Sequence, residues 1–82
     1  MHLKPAEYVI HVFRGVSATA RALGRDRSSV CKWRLPRERR GCDGQVPGGV
    51  RQAILSKAKE LGLDINSDDL DFGRSIYEHS DE

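Results

Sequence analysis

Cysteine, histidine and aromatic residues are scarce in this 82-residue chain, and each scarcity closes off a class of protein. Two cysteines, Cys31 and Cys42, stand eleven residues apart with no CxxC pair, and His2, His11 and His79 are scattered. A structural zinc site needs four ligands at close spacing, so no metal is expected. Two thiols do not make a disulfide framework, and in a reducing cytoplasm both are expected to stay free. No apolar run approaches the roughly 20 residues that cross a bilayer. The opening MHLKPAEYVIHVF interrupts its apolar residues with Pro5, Glu7 and His11, unlike a secretory signal. A cytoplasmic protein without membrane contact is the expectation. Catalytic parts are missing too: no Gly-rich loop opens a helix in phosphate-binding form, and no carboxylate pair marks a pocket. The reading is therefore no enzyme, no cofactor and no small-molecule ligand.

Basic charge is what the chain has in excess, and it is unevenly placed. The net charge is only +2. Residues 1–60 nevertheless hold 13 Lys/Arg against 5 Asp/Glu, a net +8, while residues 61–82 hold 1 against 7, a net −6. Within residues 14–40 there are 9 basic and 2 acidic side chains. A basic body with an acidic end fits a polyanionic partner, nucleic acid first among them. The competing reading of such charge is an ordinary solvated face. With 82 residues and 38% hydrophobic content, the chain is long enough for one domain with a small core, a size at which oligomerisation is common.

Apolar spacing predicts a helical domain over residues 1–73 and an acidic, disordered tail over 74–82. Pro5 suits a first helical turn, and Tyr8, Val9, Val12 and Phe13 share a face of a helix ending at Arg14-Gly15. Ser17 is a candidate N-cap for a second helix that runs through Leu23 and stops at Gly24. Asp26 is placed to cap a third, from Arg27 to about Arg34, which Pro36 prevents from continuing. The stretch RLPRERRGCDGQVPGG (34–49), with two Pro, four Gly and a run of arginine, reads as a loop. A fourth helix spans about Gly49 to Leu61, with Val50, Ile54, Leu55, Ala58 and Leu61 as its apolar stripe. Ser67 is placed to cap a fifth, carrying Leu70 and Phe72. The segment LGLDI has the composition to pair as a strand instead.

The stretch GVSATARALGRDRSSVCKWR (15–34) concentrates the functional signal. Ala20 lets two helices approach closely, Gly24 supplies a tight turn, and Val30 and Trp33 turn inward together on the third helix. An ordinary helical hairpin with a Gly turn is the plain alternative, but it requires no basic outer face. The pattern resembles the helix-turn-helix of phage Cro and CI-type regulators, the lambda-repressor-like group. ARALGRDRSSVCKWR, followed by a basic loop, VP, the helix AILSKAKELGLDI and a DDL segment, is similar to small phage regulators of the Cro type. Arg25 departs from the pattern, which commonly has an apolar residue at that turn position.

The resemblance implies an all-α, five-helix lambda-repressor-like fold and a repressor that binds a palindromic double-stranded DNA operator as a homodimer. The third helix then enters the major groove. With Val30 and Trp33 inward, Arg27, Ser28, Cys31 and Lys32 face outward as candidate base-contacting residues. Arg27 can donate two bonds to guanine O6 and N7, and Lys32 can reach a base or a phosphate with less geometric control. Cys31 is small enough to lie against a thymine methyl, and equally serves as a half-exposed filler. Ser17, Thr19 and Ser29 are candidate phosphate contacts, with Arg37, Arg39 and Arg40 placed to clamp flanking backbone. The apolar Leu63, Ile65, Leu70 and Phe72 exceed what one short segment needs to dock, so either some pack across a two-fold axis or they merely close the chain's own core, two readings of equal standing here. An activator or antitoxin-type regulator would share the motif, and an antirepressor-like interaction module would share the charge.

Overall fold

The computed structural model describes residues 2–75, and they fold as five helices closed by a small sheet. Strand β1 (His2–Leu3) leads into α1 (Pro5–Phe13), followed by α2 (Val16–Leu23) and α3 (Arg27–Lys32). One turn of 3-10 helix (Arg37–Arg39) interrupts the connection to α4 (Gly48–Leu61), and α5 (Ser67–Phe72) and β2 (Arg74–Ser75) complete the order. Helix α2 packs against α1, α3 and α4, while α5 lies on α1.

Helix α1 supplies much of the core. Pro5 occupies its first turn, and Glu7 reaches back to accept the Lys4 N–H at 2.9 Å, so a residue without a capping side chain still starts the helix. Ala6, Val9, Ile10 and Phe13 bury against Ala20, Val30, Trp33, Val46, Val50, Ile54 and Leu70. In α4 the buried residues are Val50, Ile54 and Ala58, a stripe at spacing four. Leu61, expected in that stripe, is 54% exposed, because the helix ends there at left-handed Gly62.

The caps depart from expectation. Gly15, not Ser17, precedes α2, and Ser17 lies inside the helix. Asp26 does precede α3, but its side chain makes no capping bond; its carbonyl accepts from Ser29 and Val30. Asn66, not Ser67, caps α5: its side-chain oxygen accepts the Asp69 N–H at 3.2 Å, and the Asp69 carboxylate accepts the Asn66 N–H at 2.9 Å. Between α2 and α3, Gly24 adopts φ 66°, and Arg25 N–H bonds back to Ala20 C=O at 2.9 Å. An added Cβ at Gly24 would meet open space, so this turn needs glycine for its backbone and not for room.

The stretch 34–49, read as a loop, is extensively bonded before α4 takes it over at Gly48. Cys42 N–H donates to Lys32 C=O at 3.0 Å and Asp43 N–H to Leu35 C=O at 2.8 Å. The Gly44 peptide joins two helices: its N–H donates to Trp33 C=O at 2.7 Å, and its C=O accepts the Ala6 N–H at 2.8 Å. The arginines at 37, 39 and 40 are therefore carried on a tethered segment.

Four further outcomes concern the sheet and the segments after α4. The fold is predominantly helical but not all-α, since β1 and β2 pair antiparallel with His2 opposite Ser75 and Leu3 opposite Arg74. A boundary after residue 73 thus cuts through the sheet; the rest of the expected tail, residues 76–82, lies outside the described residues. The LGLDI segment forms no strand. Of the apolar residues expected at a two-fold axis, Leu70 is fully inside and Leu63 and Ile65 pack on the chain's own core. Phe72 alone stays out, at 71% exposure.

One guanidinium holds this end together. Arg74 donates from Nε and Nη2 to the two carboxylate oxygens of Asp69, each at 2.8 Å, and from Nη1 to Asp64 at 2.6 Å. It also lies over the Tyr8 ring, 5.0 Å from the centroid, while the Tyr8 hydroxyl donates to Asp64 C=O at 2.7 Å. Asp69 is buried, and the two-pronged pairing is what makes a buried carboxylate tolerable there.

Candidate nucleic-acid interface

Helix α3 is short, and two buried side chains fix its rotation. Val30 and Trp33 are both inside. Successive residues turn by about 100° on a helix, so Ser28 points almost directly away from that pair, with Arg27 and Cys31 on one flank and Ser29 and Lys32 on the other. Arg27, Ser28, Ser29 and Lys32 are exposed accordingly, and Cys31 is half-buried. The two thiols are free.

The Arg27 flank meets α2. Arg27 Nε–H donates to the Ser17 hydroxyl oxygen at 2.9 Å, so these exposed side chains act as a pair. The Ser17 hydroxyl hydrogen remains free to donate outward. Thr19 is a correction. It is completely buried, its hydroxyl donates to Gly15 C=O at 2.7 Å, and its N–H is bonded to the same carbonyl. Thr19 has neither exposure nor a spare donor for a phosphate; it secures the first turn of α2.

The opposite flank of α3 borders a cleft of about 280 Å³, closed by the 34–47 segment and the start of α4. Arg25, Ser29, Lys32 and Arg40 supply its polar wall, and Trp33 and Val50 are part of its apolar wall. The cleft brings together Ser29, Lys32 and Arg40, which the sequence singles out, with Arg25, which it does not. The signal for Arg25 lies in its departure from an apolar turn position: a side chain that does not enter the core points outward beside α3. Arg37 and Arg39 are exposed on the 3-10 turn and do not line this cleft.

Electrostatic segregation accompanies the geometry. Among the described residues, the ion pairs engage Lys4, Arg51, Lys57 and Arg74. Three carboxylates of the acidic third, Asp64, Asp69 and Asp71, are drawn to Arg74 or Arg51. None of Arg25, Arg27, Lys32, Arg37, Arg39 and Arg40 has such a partner among those residues. Unneutralised cations grouped around one helix produce a positive field where the chain also offers hydrogen-bond donors.

Among the described residues, no three His, Cys, Asp or Glu side chains converge as metal ligands, and no helix is long and apolar enough to cross a membrane. Compared with known proteins, the chain matches no family model, no curated protein and no solved structure.

Proposed function

We propose that this chain is a sequence-specific double-stranded DNA-binding transcriptional regulator, a Cro-type repressor of the lambda-repressor-like kind. One observation carries the reading: α3 is anchored by Val30 and Trp33 and presents Arg27, Ser28 and Lys32 on its open face, with no carboxylate paired to either cation among the described residues. In this reading α2, the Gly24 turn and α3 act as a helix-turn-helix. Arg27, Ser28, Cys31 and Lys32 read base edges, and Ser17, Ser29, Arg37, Arg39 and Arg40 meet the backbone. Arg25 joins the backbone set through the cleft it shares with Lys32 and Arg40. Repression would follow by occlusion, a bound dimer covering promoter DNA. Phe72 and Leu61, the large apolar side chains left exposed among the described residues, are the candidates for the two-fold contact.

Selection from a random duplex pool at moderate salt tests the reading. An enriched palindromic sequence is the expected result; recovery of no preferred sequence would favour a module whose basic face meets an acidic protein. Sedimentation across a concentration series, with and without the selected site, tests the dimer. A monomer that binds half-sites as tightly as palindromes would remove the homodimer from the proposal.

A further inference from the structure

The bond between Arg27 and Ser17 deepens that reading. We infer that Ser17 is a positioning residue which holds the Arg27 guanidinium by Nε, so that Nη1 and Nη2 are presented end-on to a guanine; the inference rests on the DNA-binding proposal. A guanidinium carries five N–H donors in one plane. Nε–H is committed to the Ser17 oxygen at 2.9 Å, which leaves the four hydrogens on the two terminal nitrogens. Those form the parallel fork that matches guanine O6 and N7. A side-on approach through Nε and one terminal nitrogen is blocked while Ser17 is engaged.

The pairing also crosses an element boundary. Ser17 belongs to α2 and Arg27 to the first turn of α3, ten positions on, so the fork is referenced to the body of the fold and not to α3 alone. An untethered arginine gives up many rotamers when it binds, and a tethered one gives up fewer. Both side chains are exposed, and Ala is a good helix former at position 17. Removing the hydroxyl therefore takes away the tether without threatening the fold.

The test measures binding of wild type, Ser17→Ala, Ser17→Thr, Arg27→Ala and the Ser17→Ala/Arg27→Ala double variant. Each is titrated against the selected duplex, against that duplex with single guanine substitutions, and against scrambled DNA, with a thermal melt of each protein. Ser17→Ala is expected to lower discrimination at one guanine per half-site about three- to tenfold, over and above a uniform loss on all duplexes from its own backbone contact, with melting temperature unchanged. Ser17→Thr, which keeps a hydroxyl, restores the preference, and Ser17→Ala causes no further loss of discrimination once Arg27 is gone. Equal loss on all duplexes would make Ser17 a plain phosphate contact and overturn the inference. Undiminished discrimination in Ser17→Ala would overturn it as well. A wild-type protein with no sequence preference fails earlier, and marks failure of the DNA reading itself.

Discussion

At the scale of single residues, two buried side chains beside the basic face separate support from contact. Thr19 spends its hydroxyl on Gly15 C=O. Thr19→Val keeps the shape and deletes that bond, so it should cost roughly 1 kcal/mol in denaturant unfolding. DNA affinity of the folded variant should be unchanged; a selective loss of binding would return Thr19 to the interface. Trp33 sits between α3 and the cleft, 3% exposed. Trp33→Ala should cost about 3–5 kcal/mol through the cavity it leaves, enough to unfold much of a domain this small. A variant that melts normally yet no longer binds DNA would mean that the ring touches the ligand. The outward set on α3 is legible in the sequence because two inward residues three apart determine where the others point. Thr19 is not, because hydroxyl residues at a helix start serve caps, phosphates and backbone alike, and only its burial separates these roles.

At the scale of elements, the basic segment after α3 is tethered by backbone bonds through Cys42, Asp43 and Gly44, and its arginines project from that tether. Replacing Arg37, Arg39 and Arg40 together by Ala should weaken all duplexes alike and flatten the salt dependence. The slope of log K against log salt should fall by about 0.9 for each phosphate that is no longer neutralised. An unchanged slope would remove the segment from the interface. Helices α1 and α4 are legible almost to the residue because their apolar positions repeat at helical spacing. Caps are less so: Asn66 and Ser67 are adjacent and chemically alike, and Gly15 starts α2 by its conformation, with φ 122°. The β1–β2 ladder has no local signal, since two residues cannot show alternation and their partners lie at the other end of the described chain.

At the scale of the whole molecule, charge is sorted, and the sorting has a pH signature. The hydrogen bond and positive charge of Arg74 hold the Asp64 carboxyl below the usual carboxylate range, and the same pairing pushes Arg74 up. A lowered folded-state value contributes stability that is present above the unfolded value, about 4, and is lost as pH falls through the lowered one. Burial raises the Tyr8 phenol above its ordinary value, against the opposing charge of Arg74. Its contribution is complete below about pH 10 and disappears as pH climbs through the raised value. Melting temperature should therefore decline at both extremes, and Asp64→Asn should flatten the acid limb. An acid limb identical in wild type and Asp64→Asn would show that the Arg74 pairing does not couple to folding.

The two-residue ladder also makes the described chain a ring in the topological sense, closed between positions 73 apart. Bringing such distant positions together costs about 4 kcal/mol in chain entropy, far more than a two-residue ladder returns by itself. Closure must follow helix assembly, after α1 and α5 have already brought the two strands near each other. The ladder amides are then expected to open without unfolding of the helices. Amide exchange should record this as fast, denaturant-insensitive opening at the ladder amides while Val30 and Ile54 exchange only through global unfolding. Ladder protection equal to that of the core would instead make the closing strands part of the cooperative unit.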